Sequence, residues 1–389
     1  MIPPAARAIL DALAFDGRPS DLTRLTKTDL DFADRSHLTL LLSRANLNAE
    51  TRDYVNAALA RNTERVKKIA ADYGEIAGAF DHVVLKGFTH VPAFIDDLRL
   101  RVQYDLDLYT PPSESARARD ALLALGYQPI PGQEHLAMDH LPTMVRKTGW
   151  QWRGDFFDPE IPTSIEVHFR FWDPETERLR ADSLDDFWSR RETNQLSLPD
   201  KLGYAALHLT RHLLRGNVRA FHVWELANFL HTHESPDFWR TWQRLHSASA
   251  RRLEAVAFLL AQTWFACRVP HPAQDAIDQL PASVHRWFEI YGWSPVENTF
   301  KPNKDELWLH LSLLNSAFDQ FTVFRRRVIP VSAPARVDAI YTPDSEMTPA
   351  RRFSRAFHNL AYAASRALHH ATLLVPTLWE GLRWRLRSR

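Results

Sequence analysis

HVVLKGFTHVPAFIDDLRLRVQYDLDLYT, residues 82–110, is the stretch that decides the fold. Its opening run of apolar residues is typical of a buried strand, and residues 102–110 alternate polar and apolar side chains with the period of two of a half-buried strand. The segment between them is long enough for one short helix. The amphipathic pattern of residues 113–127 then predicts a helix. Residues 143–152 and 164–172 supply two more strand patterns, so the order of elements predicts a small sheet with helical cover.

Helical patterns lie on both sides of this sheet. Residues 1–80 carry apolar side chains at helical spacing, and the same spacing returns from Pro199 onward. We therefore predict an α+β fold with four parts. These are an N-terminal helical segment (1–80), a small α/β domain (81–198), a larger helical bundle (199–326), and a linker with a basic C-terminal helical segment (327–389).

The composition argues against several classes of protein. The 48 basic and 47 acidic residues nearly cancel, so net charge predicts no polyanionic partner. A single cysteine, Cys267, permits neither an intramolecular disulfide nor a cysteine-based zinc site and indicates a reducing compartment. The 12 glycines form neither a dinucleotide-binding GxGxxG pattern nor a P-loop. No signal-peptide pattern opens the chain and no apolar run reaches membrane-spanning length, so we expect a cytoplasmic protein without a transmembrane segment.

The pair Asp105 and Asp107 is the first indication of chemistry. Residues i and i+2 of a strand project from the same face, so the two carboxylates are expected to lie side by side. Magnesium takes a few carboxylate oxygens and leaves its other positions to water and phosphate. Glu166, in another strand pattern, is the expected third carboxylate of the catalytic and metal site. The spacing alone is weak support, because a second DLD occurs at residues 29–31.

An ordered set of motifs adds specificity to the pair. LKG stands at 85–87, Arg101 lies four residues before DLDL, a helical pattern closes on GY at 126–127, and IEVHF follows at 165–169. Farther along, residues 207–230 resemble a helical signature with His208, His212 and Trp224 as its matching positions. This set resembles the uncharacterised nucleotidyltransferase family of the DNA polymerase β-like superfamily, over about residues 50 to 270.

The resemblance implies a nucleotidyltransferase-type mixed sheet and a metal-dependent reaction. The reaction would transfer a nucleoside monophosphate from an NTP to an unknown hydroxyl or phosphate acceptor, which could be a small molecule, RNA or protein, with Mg²⁺ or Mn²⁺ as the cofactor. Lys86, Gly87 and Arg101 would form the nucleotide-binding part of the site. Gly87 permits a tight turn, Lys86 is expected to pair with the triphosphate or a carboxylate, and Arg101 to bind phosphate or brace the carboxylates.

One departure from the superfamily keeps a second function open. Most active members carry Gly-Gly or Gly-Ser, whereas Phe88 follows Gly87 here and Asp105 lies 18 residues farther on. The alternative is therefore a catalytically inactive accessory module that binds a nucleotide, RNA or a protein. Discrimination between the two requires an assay of turnover.

Three histidines and the last residues leave further alternatives. His208 and His212 share one helical face, a spacing compatible with metal binding, although helix packing or hydrogen bonding in the core is the favoured interpretation. The resemblance implies that these two histidines and His168 line the cleft between sheet and bundle. The last 39 residues hold eight arginines and a single acid, Glu380. Such a segment either packs its apolar face on the bundle or contacts RNA or an anionic membrane.

Overall fold

The sheet at the centre of the fold has five short strands. The structure is a computed structural model that describes residues 1–130, 139–328 and 348–387 of the chain. The strands are β1 (Val83–Val84), β2 (Asp105–Tyr109), β3 (Gln128–Pro129), β4 (Met144–Val145) and β5 (Ser164–His168). Their order across the sheet is β1-β2-β5-β4-β3. Only β2 and β5 run parallel, and the other neighbours are antiparallel. The sheet is therefore mixed, as expected.

The two central strands have one apolar face and one polar face. In β2 the residues Leu106 and Leu108 point to the same side as Ile165 and Val167 of β5, and all four are buried in one hydrophobic cluster. This cluster contains no acidic side chain. Since side chains alternate along a strand, the acidic residues of β2 and β5 project from the opposite face. The period-two pattern of the sequence thus fixes which face carries chemistry.

Sixteen α-helices surround this sheet in the described residues. Before and beside it lie α1 (Pro4–Ala12), α2 (Asp31–Arg35), α3 (Ala49–Ile76), α4 (Ser115–Ala124), α5 (Pro174–Glu177) and α6 (Asp186–Ser189). The bundle and the segments after it contain α7 (Leu198–Arg215), α8 (Ala220–Thr232), α9 (Pro236–Leu245), α10 (Ala248–Phe265), α11 (His271–Asp278), α12 (Ala282–Tyr291), α13 (Ser294–Glu297), α14 (Glu306–Leu313), α15 (Ala317–Val328) and α16 (Pro349–Arg387). The chain is thus an α+β protein in which helices predominate, as the sequence predicts.

The helices form two layers around the sheet. Ile69 and Ile76 of α3 and Leu122 of α4 cover its apolar face. A second, larger hydrophobic cluster joins the N-terminal helices to the helices of the bundle. It also includes Tyr109 and Phe171, whose rings stack at 3.9 Å between centroids. The polar face of β2 and β5 therefore lies between the sheet and the bundle.

Two local expectations differ from the structure. The strand pattern of residues 143–152 gives only the two residues of β4, because Gly149 adopts a φ of +72°, which an extended strand cannot contain. The single helix expected after Gly87 is instead two 3₁₀ turns, Gly87–His90 and Leu98–Leu100. Pro92 stands between them and lacks the backbone donor that a continuous helix requires.

A charged network lies buried between α7, α9 and α10. The imidazole of His246 contacts Glu254 through Nδ1 at 2.8 Å and Asp200 through Nε2 at 3.3 Å, and all three side chains are fully buried. Arg190 also pairs with Asp200, at 2.7 Å. Burial alone would lower the pKa of His246, but Glu254 and Asp200 outweigh it and raise the pKa to about 9. At neutral pH this histidine is a cation held between two carboxylates.

Two further observations concern the expected organisation. Among the described residues, no helix is both long and apolar enough to cross a membrane. Residues 329–347, which make up most of the expected connection, lie outside the described residues, whereas the helical segment expected after it is α16.

Candidate functional site

The parallel pairing of β2 and β5 brings the acidic side chains together. In this register Asp105 lies opposite Ser164, Asp107 opposite Glu166, and Tyr109 opposite His168. Directly opposed residues of paired strands present their side chains on the same face. Two segments more than 50 residues apart thus place Asp107 and Glu166 next to each other. The geometry expected of β2 as a strand is present.

The second DLD shows what strand geometry contributes. Asp29 lies in a 3₁₀ turn (Lys27–Leu30), where its carboxylate accepts hydrogen bonds from Thr26. Asp31 begins α2 and pairs with Arg35 on the helix surface. Residues i and i+2 of a helix do not share a face. Of the two DLD sequences, the one in β2 therefore places its two carboxylates on the same face.

Lys86 places a positive charge between the two aspartates. Its Nζ lies 3.1 Å from Oδ2 of Asp107 and 3.5 Å from Oδ2 of Asp105. Burial alone would lower the pKa of Lys86, but Asp105, Asp107 and Glu166 outweigh it and raise the pKa. Conversely, burial would raise the pKa of Asp107, yet Lys86 and His168 hold it below its usual value. The lysine is therefore an ammonium counter-ion of the acidic group, that is, the carboxylates of Asp105, Asp107 and Glu166.

Gly87 permits the turn that positions Lys86. Its φ is +83°, a left-handed conformation that side chains other than glycine rarely adopt. A Cβ at this position would lie 2.4 Å from Nε2 of Gln103. That same amide donates a hydrogen bond to the backbone oxygen of Asp105 at 2.7 Å. The absence of a side chain at Gly87 thus lets the LKG turn approach the start of β2.

His168 connects the acidic group to the helical bundle. Its Nε2 lies 3.3 Å from Oδ1 of Asp107, and its Nδ1 lies 3.5 Å from Oδ2 of Asp139. Asp139 in turn forms an ion pair with Arg211 of α7. Burial lowers the pKa of Arg211 to about 10, which still leaves it charged at neutral pH. A chain of polar contacts therefore runs from α7 through Asp139 and His168 to Asp107.

The donor set fits a divalent cation. One ligand atom from each of Asp107, Glu166 and His168 lies within 4.8 Å of the other two. Burial, and then the negative charge of the neighbouring Asp107, raise the pKa of Glu166. Carboxylate oxygens suit Mg²⁺ and Mn²⁺, and an imidazole nitrogen is accepted more readily by Mn²⁺. Asp105 lies beside this group, across Lys86.

The side chain of Arg101 is bound to a residue of the bundle. Its Nε donates to Oε1 of Glu225 at 2.9 Å, and both side chains are buried. His90 contacts the same carboxylate oxygen at 3.3 Å. Burial would raise the pKa of Glu225, but Arg101 and His90 hold it well below its usual value. Of the two roles expected for Arg101, the observed contact is a brace, directed at Glu225 rather than at the aspartates.

The two helix histidines contact each other on α7. His208 and His212 of α7 approach each other at 3.0 Å between their Nε2 atoms, and Nδ1 of His212 lies 2.9 Å from the side-chain oxygen of Asn217. Burial lowers the pKa of both histidines well below the usual value. Lys86, Arg101 and His208 line one internal cavity of about 10 Å³. His208 therefore lies at the wall between sheet and bundle, whereas His212 is not among the residues that line this cavity.

Sequence reasoning missed Asp139 and Arg211. Asp139 belongs to no periodic pattern, so nothing in the sequence marks it. Arg211 offers a signal, because it is a basic residue inside the apolar run of α7 and is buried. A charge on a buried helix face indicates a partner of opposite charge elsewhere in the chain.

A small mixed sheet with acidic side chains on neighbouring strands, covered by a helical bundle, agrees with a nucleotidyltransferase-like protein. The comparison with known families agrees. The model of a family described as an uncharacterised nucleotidyltransferase matches residues 36–266, more than half of the chain. The protein belongs to that family. Searches of curated proteins and of solved structures gave no match.

Proposed function

We propose that this protein is a divalent-metal-dependent nucleotidyltransferase. An oxygen of the acceptor, a hydroxyl or a phosphate, would attack the α-phosphorus of an NTP. The bond from that phosphorus to the bridging oxygen would break, and pyrophosphate would leave. Where the acceptor is a hydroxyl, its proton would pass to a carboxylate, and Glu166 is the residue proposed for this role. The observation that carries the proposal is the pairing of Asp107 with Glu166 in a chain of this family.

The acidic group would hold the cation. Asp107 and Glu166 supply hard oxygen ligands, His168 supplies a nitrogen, and Asp105 stands next to them as the remaining carboxylate of the site. When bound, Mg²⁺ or Mn²⁺ neutralises phosphate charge and makes an acceptor hydroxyl more acidic. Asp139 would hold the imidazole of His168 in orientation, as outer carboxylates do for metal-bound histidines.

Lys86, Gly87 and Arg101 form the proposed nucleotide side of the site. Lys86 already lies against two carboxylates, so an arriving triphosphate would offer its ammonium group a second anionic partner. Because residue 87 is a glycine, no side chain separates the LKG turn from the start of β2. Arg101 supplies positive charge to the same cavity while Glu225 fixes its position.

A nucleotide-binding module without turnover is the second candidate. The favouring observation is that the ammonium of Lys86 occupies the space between Asp105 and Asp107, at 3.5 and 3.1 Å. In that arrangement the ammonium of Lys86 partly neutralises the negative charge of both aspartates. The presence of Phe88 instead of a small hydroxyl residue after Gly87 agrees with this alternative.

Label transfer from α-³²P-labelled NTPs to a panel of acceptors tests the proposal. Asp107→Asn should reduce transfer about 100-fold or more, the scale of losing one electrostatic stabiliser of a transition state. Asp31→Asn is the matched control, because it makes the same change in the other DLD, on an exposed helix surface. Equal transfer by Asp107→Asn and wild type would refute the assignment. Metal-dependent NTP binding in equilibrium dialysis, without transfer to any acceptor, would favour the second candidate.

A further inference from the structure

Helix α16 has one face on the body of the protein and another in solvent. It spans 39 residues, about 58 Å at 1.5 Å per residue. Near its C-terminal end, the hydroxyl of Tyr291 donates to Glu380 at 2.5 Å, and Trp384 is buried with its ring 5.9 Å from that of Tyr291. Gly381 packs so closely on Trp308 that a Cβ would lie 2.4 Å from the indole. These contacts fix the helix to the bundle.

The opposite face carries a continuous apolar stripe. It runs from Phe353 through Phe357, Leu360, Leu368 and Val375 to Leu386, and these side chains are 63% to 77% exposed. Apolar residues recur along it every three or four positions, in nine steps over 33 residues. Exposed apolar area of this extent marks an interaction site rather than ordinary surface.

The period of the stripe argues against a left-handed, heptad coiled coil with a second copy of the chain. Nine steps over 33 residues give about 3.7 residues per step, whereas the heptads of a left-handed coiled coil need 3.5. A period close to 3.6 keeps the stripe on one side of a straight helix. The stripe therefore presents one apolar side of α16 to a flat surface.

The charge of α16 selects the kind of surface. Residues 349–387 contain seven arginines and one acidic residue, Glu380, while the whole chain has a net charge of only +1. Arg352, Arg383 and Arg387 are exposed. A nucleic acid would contact such arginines through its phosphates and leave the apolar stripe in water. An anionic bilayer covers both, since arginines reach headgroup phosphates while apolar side chains enter the acyl boundary.

The neighbouring helix α15 has the same character. Phe318 and Phe321 are 70% and 63% exposed, and Arg325 and Arg326 follow them at the surface. A groove of about 600 Å³, lined mainly by apolar side chains such as Phe321 and Trp384, separates α15 from the last turns of α16. The apolar and basic surface thus extends beyond one helix.

We propose that α16, together with α15, docks this protein on an anionic phospholipid surface. The helix lies in the plane of the interface, with the stripe in the acyl boundary and the arginines at the headgroups. The binding depends on both features, because the arginines attract the protein to the anionic membrane and burial of the apolar stripe retains it there. The docking is independent of nucleotide transfer.

Co-sedimentation of the full chain with vesicles tests the docking. Vesicles of phosphatidylcholine with 30% phosphatidylglycerol should bind the protein at least about tenfold more tightly than phosphatidylcholine alone, and 0.5 M salt should weaken the binding. Leu368→Glu combined with Val375→Glu should reduce it at least about tenfold. Ala356→Glu combined with Thr372→Glu makes the same charge change beside the stripe and should stay within about threefold of wild type.

Four outcomes would overturn the proposal. The first is no binding to either vesicle, and the second is equal loss in both double variants. The third is a concentration-dependent dimer of the wild type that the Leu368→Glu, Val375→Glu chain no longer forms, which would assign the stripe to a second copy. Vesicle binding that is displaced by single-stranded RNA but unaffected by the stripe substitutions would likewise assign the arginines to RNA. Circular dichroism of both variants shows whether each remains folded.

Discussion

The buried histidine of the helical bundle makes stability depend on pH. His246 has a pKa of about 9 in the folded protein, against about 6.5 in an unfolded chain. Because the folded pKa is raised, the stabilisation is fully present below pH 6.5 and is lost as pH rises through 9. A difference of about 2.5 pKa units corresponds to about 3 kcal/mol.

The His246→Gln substitution isolates this contribution. At pH 6 the variant leaves Glu254 and Asp200 buried without their shared cation, so its unfolding free energy should be about 3–5 kcal/mol below that of wild type. At pH 10 the wild-type imidazole is neutral as well. The difference between the two proteins should therefore shrink by about 3 kcal/mol between pH 6 and pH 10.

Urea unfolding followed by tryptophan fluorescence at several pH values measures this difference. His271→Gln is the matched control, because His271 is 88% exposed and contacts only a surface aspartate, Asp275. Its difference from wild type should be small and should not vary over the same range. A His246→Gln difference that is constant from pH 6 to pH 10 would refute a cationic histidine in the bundle.

Three further substitutions test the site. Gly87→Ala should lower the unfolding free energy in urea by about 1–3 kcal/mol, and by more than Gly126→Ala, which has a similar φ of +84° but open space for a Cβ; equal losses would contradict the close packing. Glu225→Gln leaves the buried Arg101 without a charged partner and should cost about 3–5 kcal/mol in the same assay, so a loss under 1 kcal/mol would contradict a buried ion pair. Asp139→Asn should weaken Mn²⁺ binding about 10- to 100-fold in calorimetry, and an unchanged affinity would exclude an orienting role.

The sequence predicted the central strands because their pattern is local. Period-two alternation in DLDLY and SIEVH is sufficient to assign a polar and an apolar face, and the structure confirms both strands. It was less successful for the side of the sheet beyond β5, where β4 has only two residues and β3 was not expected. Pairing of such short strands depends on their neighbours in the sheet, which is a tertiary property.

The contacts around the acidic group could likewise be predicted only in part from the sequence. Lys86 and Gly87 were expected near the nucleotide site from the LKG motif, and the structure brings both to β2. Asp139 and the partner of Arg101 required knowledge of which helix covers the polar face. A pattern of single residues contains no such information, since an ion pair between distant segments leaves no periodicity. The roles proposed for these residues remain predictions.

Two ion pairs join the segments around the sheet to the helical bundle, which restricts how these parts can be exchanged between relatives. Arg101 reaches Glu225 of α8, and Asp139 reaches Arg211 of α7. The segment matched by the family ends at residue 266, one residue after α10. The match thus covers the sheet together with α7 to α10, and a chimera that joined the sheet of one relative to the bundle of another would need both charge pairs to match.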